Sequence, residues 1–421
     1  MLIFHLARRS LANRLLTTGL TVLSIGLSVA LLVGVENVRT GMRDSFANTV
    51  SGADLLVGSK GGTIQLLLYA VFGMGSPTAN ISYETWQEYE NHSAVAWTVP
   101  YSLGDSHRGY RVIGTNDAFY EHYKYRGGQS IEVAEGRQAA GVFDLVLGAD
   151  VAERLGYGLG DRIPVTHGMS QVGLMNHDEL PFEVVGILDR TFTPVDRAIY
   201  VTLEGISAIH MGWESGAPPM LGEEVAADEV LAMDSIPIGQ ITSFLLGAES
   251  RAHTLLLQRE ISTNEDEPLM AVIPGVALAE MWRGIGYAED GLRIVTFFVV
   301  LVGILGMVVS IYTSLDARRR EMAILRAVGA GPKRIVSLLL LEAGLLAILG
   351  AVLGVALVYG LLFVFQPLIE ARFGLYLPIR AMDDLQILYV IGVIVVGFVA
   401  GLVPAIKAYR TALHDGLSVR V

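Results

Sequence analysis

Two long uncharged runs joined by a short cationic segment constrain the fold of this chain most strongly. Ile294–Leu315 contains 22 residues without a charge, and as a helix these reach ~33 Å, enough to cross the ~30 Å hydrocarbon core of a bilayer. The second run, Ile335–Phe365, carries one charged side chain, Glu342. The connection, residues 316–334, holds six Lys and Arg. The pattern predicts two membrane-spanning helices and a tight basic loop.

Two further uncharged runs, Leu15–Val35 and Ile387–Ile406, predict a first and a fourth span. Short loops rich in Lys and Arg stay on the cytoplasmic side, so residues 316–334 and both termini are expected there. A secretory signal peptide is the competing interpretation of residues 1–35, but the apolar run is longer than a typical signal core. We expect a multi-pass protein of the cell inner membrane.

Residues 37–290 contain no further spanning run and are expected to form an α+β periplasmic domain inserted between the first and second spans. They hold 15 Lys and Arg against 34 Asp and Glu, a net charge of −19, whereas the rest of the chain carries +7. This balance argues against a nucleic-acid partner. No Cys is present to build a disulfide framework.

The predicted organisation is a membrane α-helical protein with four transmembrane helices plus this one α+β domain. Its segments are a cytoplasmic amphipathic helix (1–14), span 1 (15–36), the periplasmic domain (37–290), span 2 (291–315), a cytoplasmic coupling element (316–334), span 3 (335–366), a periplasmic loop (367–385), span 4 (386–406) and a cytoplasmic tail (407–421).

The clearest local signals of the α+β domain lie in its middle, where turn residues separate short apolar runs. Ala149–Leu155 predicts a helix, and the predicted strands are Phe143–Leu147, Arg162–Thr166, Pro181–Leu188 and Ala198–Val201. A separate apolar patch, Ile64–Phe72, is too short to cross a bilayer. We predict a core segment there, with a surface that meets the membrane or a hydrophobic substrate as the alternative.

The basic segment 316–334 supports two interpretations. Met322, Leu325 and Val328 recur every three residues, so the segment can form a helix with one apolar and one charged face that docks a cytosolic partner. The alternative is a solvated loop whose cations only set the membrane orientation.

The order of one span, a large outer domain and three further spans resembles the MacB/LolC/FtsX-type permeases of ABC transporters. The residues 318–330, RRREMAILRAVGA, are similar to the coupling element of that family, and 341–344 (LEAG) with 349–354 (LGAVLG) are similar to its third span. The segments 146–156, 160–163 and 182–188 resemble the core of its periplasmic domain, and 404–410 resemble its tail.

The resemblance implies that a separate ATPase subunit docks on the basic segment and that a second permease copy completes the assembly, with a periplasmic adaptor or carrier as a further possible partner. ATP and Mg would then be bound by the ATPase and no cofactor by this chain, which is not expected to be an enzyme; its residues contain no G-x-x-x-x-G-K-[ST] phosphate loop. The expected docking residues are Arg318, Arg319, Arg320, Glu321, Met322, Leu325, Arg326, Lys333 and Arg334.

Polar and small residues inside the spans are further candidates. Glu342 is an ionisable group within a span and hence a functional hypothesis, although its depth favours a structural pairing with Arg318–Arg320 or Arg326 over proton transfer. Two small-residue pairs, Gly350 with Gly354 and Gly397 with Gly401, are spaced for close helix packing. They could equally be ordinary glycines of membrane helices.

The loop 167–179 gathers His167, His177 and Asp178, residue types that bind zinc, yet their spacing matches no established motif. A flexible polar loop is the preferred interpretation. Three functions stay open: an ATPase-driven permease that extrudes or releases a hydrophobic or amphipathic substrate such as a lipoprotein, lipid, peptide or drug; an FtsX-like signalling subunit that controls a periplasmic partner such as a cell-wall hydrolase; and a metal-linked transporter. The size of the outer domain favours transport.

Overall fold

The computed structural model describes residues 2–47, 49, 52–168, 180–211, 227–317, 330–373 and 379–414, which fall into two compact units. The helical unit comprises Met1–Gly41, Ile285–Leu368 and Leu377–Val421, and the sheet unit comprises Met42–Gly284 and Ile369–Tyr376.

The helices, in chain order, are α1 (Leu2–Ala12), α2 (Leu15–Ala47), α3 (Thr63–Val71), α4 (Tyr83–Glu90), α5 (Ala118–His122), α6 (Ala149–Leu155), α7 (Leu203–Ile209), α8 (Ala227–Leu231), α9 (Arg251–Ser262), α10 (Pro274–Ala317), α11 (Pro332–Phe373), α12 (Asp384–Ala400) and α13 (Leu402–His414). The strands are β1 (Leu55–Ser59), β2 (Ile81–Ser82), β3 (Val95–His107), β4 (Tyr110–Thr115), β5 (Lys124–Tyr125), β6 (Gln129–Ser130), β7 (Val133–Gly136), β8 (Asp144–Leu147), β9 (Arg162–Ile163), β10 (Thr166–His167), β11 (Phe182–Leu188), β12 (Ala198–Thr202), β13 (Gln240–Ile241), β14 (Ser243–Ala248) and β15 (Leu269–Val272).

Within the described residues, four helical stretches are long and apolar enough to cross a membrane. They are Leu15–Asp44, Pro274–Thr313, Lys333–Ile369 and Asp384–Arg410. Between 22% and 33% of the apolar window of each stretch is buried within the protein, and large side chains such as Phe363 (75% exposed) face outward. Apolar surface of this extent is suited to lipid, so the observed packing agrees with the four spans that the sequence predicts.

These helices differ from the predicted spans at their ends. The helix of the second span begins at Pro274, although residues 274–290 were assigned to the α+β domain, because charged residues end an apolar run without ending a helix. The third helix passes through Pro367 to Phe373, beyond the predicted limit at residue 366. The fourth divides at Gly401, whose N–H still bonds the carbonyls of Gly397 and Phe398.

The sheet unit is built on a mixed sheet that, among the described residues, has the strand order β15-β1-β14-β3-β4-β12-β8-β11-β7. The strand β10 adds to β3, and β9 adds to β11. The pairs β4–β12 and β8–β11 are parallel, and the remaining pairs of this sheet are antiparallel. The long strand β3 pairs with β14 over its first half and with β4 over its second half, so it joins the two parts of the sheet.

The predicted elements in the middle of this unit are confirmed for β8, α6, β11 and β12. The strand predicted at Arg162–Thr166 is wrong as one element. Pro164 has no N–H to donate to a ladder, and the chain divides there into β9, which pairs with β11, and β10, which pairs with β3.

The apolar patch at residues 64–72 forms most of the helix α3. Its side chains Leu66, Leu67, Tyr69 and Ala70 are buried and belong to a core cluster with Val99, Phe119 and Tyr200. The core interpretation of this patch is therefore confirmed, and the patch offers little apolar surface to a membrane or a substrate.

Candidate functional site

The basic segment 316–334, which carries the predicted docking residues, is described only at residues 316–317 and 330–334. Lys333 and Arg334 lie exposed in the first turn of α11. The other predicted docking residues lie outside the described residues: Arg318, Arg319, Arg320, Glu321, Met322, Leu325 and Arg326. Their role stays a prediction.

A cavity of about 390 Å³ lies beside Lys333 in the helical unit. It is lined by Lys333, Val336 and Ser337 of α11 and by Ile406 and Tyr409 of α13. Close to Tyr409 in sequence, the ammonium of Lys407 lies 3.5 Å from the ring centroid of Tyr312, a cation–π contact that joins α13 to α10. The helical unit thus has a concave, mostly apolar surface next to the basic segment, with Lys333 as the cation that lines it.

The pair Gly350 and Gly354 lies where α11 meets α2. A Cβ added at Gly350 would lie 2.5 Å from Ile25 Cγ2, and one at Gly354 would lie 2.6 Å from the Gly26 carbonyl oxygen. Contacts this short do not occur between real Cβ atoms and their neighbours, so both positions require glycine for the observed approach of the helices.

The pair Gly397 and Gly401 lies where the fourth span meets α11. A Cβ at Gly397 would lie 2.8 Å from Ala347 Cβ, and one at Gly401 would lie 2.5 Å from Ala343 Cβ. Glu342, next to Ala343 on α11, is 3% exposed within the helical unit. Its predicted cationic partners, Arg318–Arg320 and Arg326, lie outside the described residues.

An ion-pair cluster that sequence reasoning missed joins α2 to α10. Arg39 Nε donates to both carboxylate oxygens of Glu36 at 3.1 Å, and its Nη1 donates to Glu289 at 3.3 Å. Glu36 is 3% exposed, so this carboxylate depends on Arg39 for its charge balance. The spacing of Glu36 and Arg39 by three residues on one helix was the available signal.

Other polar contacts join α2 to its neighbours along its length. Gln386 Nε2 of α12 donates to Asn37 Oδ1 at 2.9 Å. Nearer the start of α2, Thr21 Oγ1 donates to Ser310 Oγ of α10 at 2.9 Å. The first span is thereby fixed by hydrogen bonds as well as by close packing.

In the sheet unit, His167 meets two residues that the sequence analysis did not connect with it. His167 Nδ1 lies 3.1 Å from Asp105 Oδ1 and 3.1 Å from His210 Nε2, and His210 Nε2 lies 3.4 Å from Asp105 Oδ1. The two other predicted metal candidates, His177 and Asp178, lie outside the described residues. Since the partners of His167 lie 62 and 43 residues away, spacing along the chain gives no signal for this cluster.

The pKa values of the cluster follow from its burial and its hydrogen bonds. Burial by itself raises the pKa of the Asp105 carboxyl, but the bonds to His167 and His210 outweigh it and lower this pKa to about 2. For His210, burial lowers the pKa, yet the bond to Asp105 gives a net rise. The arrangement places a buried carboxylate against two imidazoles.

Two protein-family models match this chain, one after the other along the sequence. The model of the MacB-like periplasmic core domain matches residues 18–234, just over half of the chain, and the model of the FtsX-like permease C-terminal domain matches residues 293–413. With the four membrane-crossing helices found among the described residues, these matches define a membrane permease component. The chain belongs to the MacB/FtsX-type ABC transporter permeases.

One similar curated protein is the "Probable export ATP-binding/permease protein MacB" of Pseudomonas entomophila (strain L48), which is 24% identical over 252 residues. The match covers 59% of this chain and 34% of the relative, so the chain spans about a third of the length of that protein. Among solved structures, the extracellular domain of the noncanonical ABC-type transporter YknZ from Gram-positive bacteria matches with a TM-score of 0.30 and 14% identity, covering 52% of this chain and 98% of the other.

Proposed function

We propose that this chain is the permease subunit that couples ATP hydrolysis by a separate ATPase subunit to a conformational change of its sheet unit on the periplasmic side. The change extrudes or releases a hydrophobic or amphipathic substrate of the lipoprotein, lipid, peptide or drug class. The observation that carries the proposal is the succession of the two family matches along one chain, the periplasmic core domain first and the permease domain second.

The membrane orientation in this proposal rests on charge. The net charge of −19 in residues 37–290 and the six cations in residues 316–334 support an outer sheet unit, inserted between the first and second spans, and cytoplasmic termini. Because the chain contains no Cys, a single Cys can be introduced at Ser130 of the sheet unit or at Ala327 of the basic segment. An impermeant maleimide applied to intact cells with a permeable outer membrane should label the first variant and not the second. Labelling of both from the same side would contradict the orientation.

The proposed ATPase contact is the basic segment with its apolar residues. The double substitution Met322→Ala and Leu325→Ala keeps all six cations and hence the orientation, but it removes apolar side chains from the proposed docking face. We expect co-purification of the ATPase to fall at least about tenfold, since truncation of a hot-spot side chain at the centre of an interface costs ~2 kcal/mol or more. Charge reversal at Arg319 and Arg320 should also abolish binding.

A matched control removes two exposed leucines from the proposed opposite side of the membrane, with Leu255→Ala and Leu256→Ala on α9. This control should leave ATPase binding unchanged. If the variant with both Met322→Ala and Leu325→Ala still binds the ATPase fully, the docking proposal is contradicted. The basic segment would then be a solvated loop whose cations only set the membrane orientation.

A second candidate function, control of a periplasmic partner such as a cell-wall hydrolase, uses the same coupling and differs in its output. The size of the sheet unit favours transport. Reconstitution of the permease with its ATPase in nanodiscs separates the two functions: stimulation of ATP hydrolysis by lipids or lipoproteins supports transport, and stimulation by a hydrolase alone supports signalling. The molar mass of the same complex, measured by size-exclusion chromatography with light scattering, tests whether it contains the proposed second permease copy.

A further inference from the structure

The cluster of Asp105, His167 and His210 in the sheet unit is positioned by backbone contacts on three elements. Asp105 lies on β3 directly after a register shift, and His167 lies on β10 as its cross-strand neighbour. His210 follows the last turn of α7. The elements that carry the three donor atoms are therefore held in position by the sheet, independently of the contacts within the cluster.

Each histidine is held by groups outside the cluster. After His167, the Gly168 N–H donates to the Gly104 carbonyl at 2.9 Å, and the Gly168 carbonyl accepts a bond from Ser106 Oγ. His210 Nδ1 lies 2.8 Å from the carbonyl of Ile206. A carbonyl can only accept, so Nδ1 carries the proton in this bond. When Nε2 loses its proton, as it must to bind a metal, its lone pair faces Asp105 and His167.

The distances within the cluster match those of a metal-ligand set. A tetrahedral zinc ion bound at ~2.0–2.1 Å keeps its ligand atoms about 3.3 Å apart. The corresponding distances here are 3.1 Å, 3.1 Å and 3.4 Å. One ion could therefore contact Asp105 Oδ1, His167 Nδ1 and His210 Nε2 together, with its fourth position open to water.

The chemistry of the surroundings is also suited to a cation. Asp105 is 1% exposed, and an ionised carboxylate at that depth requires a compensating positive charge. The bond from His210 Nδ1 to the Ile206 carbonyl is the outer contact that zinc-bound histidines commonly make, because it fixes the ring and makes the ligand nitrogen more basic. A hydrogen-bonded Asp–His–His cluster without metal is the alternative that the experiment must exclude.

We propose that Asp105, His167 and His210 form a zinc site that fixes β3, β10 and the end of α7 to one another. The site takes a divalent transition metal of zinc type, bound by two imidazoles and one carboxylate. It is independent of the ATPase-coupling role and can exist with or without it.

The first test is a zinc titration of the full-length protein in detergent after removal of metal by a chelator, read by competition with a chromophoric zinc indicator. We expect one zinc per chain. Asp105→Asn, His167→Gln and His210→Gln should each weaken binding at least about tenfold. His92→Gln, which removes an imidazole elsewhere in the sheet unit, should leave it unchanged. Absence of stoichiometric binding, or equal binding by the three variants, would overturn the proposal.

A second test does not depend on loss of binding and therefore detects a site even where a variant is less stable. His210→Cys places a thiolate at one ligand position in a chain that contains no other Cys. With Co²⁺ in place of zinc, this variant should show a sulfur-to-cobalt charge-transfer band, and His92→Cys should not. The intensity of the visible cobalt bands in the wild type reports the coordination, strong for four ligands and weak for six. A missing charge-transfer band in folded protein, or the same band in both variants, would refute the assignment.

Discussion

The contact between Gly397 and Ala347 gives the sharpest test of the helical unit. In Gly397→Ala the new methyl group would lie 2.8 Å from Ala347 Cβ, whereas ordinary van der Waals contact begins at 3.4 Å. Ala347 is buried, so the added methyl can be accommodated only if the fourth span and α11 move apart. The reciprocal substitution, Ala347→Gly, removes the opposing methyl and opens the space that Gly397→Ala needs.

The magnitude follows from two opposing terms. Gly to Ala within a helix is favourable by ~1 kcal/mol, and overpacking of a close contact costs ~1–3 kcal/mol. Gly397→Ala should therefore be neutral or destabilising by up to ~2 kcal/mol. Gly360→Ala provides the matched control, because a Cβ there meets nothing within 4 Å and the propensity gain of up to ~1 kcal/mol should appear alone.

The assay is a double-mutant cycle on the full-length protein in detergent micelles, with unfolding by denaturant followed by the far-UV circular dichroism of the helices. Combining Gly397→Ala with Ala347→Gly transfers one methyl from α11 to the fourth span and removes the clash. The double variant should be more stable than the sum of the single effects predicts by ~1–3 kcal/mol. Each variant is compared at equal detergent concentration.

Two results would refute this reasoning. If Gly397→Ala stabilises the protein as much as Gly360→Ala does, the two helices do not approach as closely as 2.8 Å requires. If the single effects are additive, the opposing methyl of Ala347 is not what the new side chain meets.

Three further predictions concern other contacts. Arg39→Gln should destabilise the protein by ~3 kcal/mol because it leaves the buried Glu36 carboxylate without its partner, and adding Glu36→Gln should recover most of that loss in denaturant unfolding. Gly354→Ala should destabilise by ~2 kcal/mol because the new methyl meets backbone at 2.6 Å; a thermal midpoint equal to that of the wild type would contradict it. Burial raises the pKa of Asp144, but bonds from an Arg side chain and two backbone N–H groups give a net decrease, so Asp144→Asn should cost ~1–2 kcal/mol at neutral pH. The stability difference between this variant and the wild type should vanish as the pH falls below about 4 through the lowered pKa. A constant difference down to pH 2 would contradict the direction of the pKa shift.

Much of the architecture could be predicted because its signals are local. A bilayer-length run without charges, as in Ile294–Leu315, permits few structures other than a span, and Ala149–Leu155 begins after one glycine and ends at another, Gly156, which has φ +72°. The ends of the helices could not be predicted from charge, because charge marks where a helix leaves the apolar region and not where its hydrogen bonds stop. At Arg162–Thr166 the composition indicated one strand, and the missing N–H of Pro164 decided otherwise.

The small-residue pairs show how far spacing alone can predict a contact. Glycines four residues apart share one helix face, which identifies a surface able to pack closely. Spacing cannot identify the partner, and in the structure Gly350 meets α2 whereas Gly397 meets α11. The partner is set by the topology of the helical unit.

The histidine cluster exists only because of the topology of the sheet unit. For that reason no sequence pattern predicts it, and for the same reason a metal ion bound there would connect elements that are distant in the chain. Asp105 and His167 become neighbours only because β10 pairs with the second half of β3, and His210 joins them only because α7 packs on the same strand. The first half of β3 pairs with β14, so the strand is common to both parts of the sheet. A metal ion bound at Asp105 would therefore fix α7 and β10 to the strand through which the two parts of the sheet are connected. Its removal should loosen the second half of β3 while leaving the pairing with β14 intact, a difference that amide hydrogen exchange can resolve strand by strand.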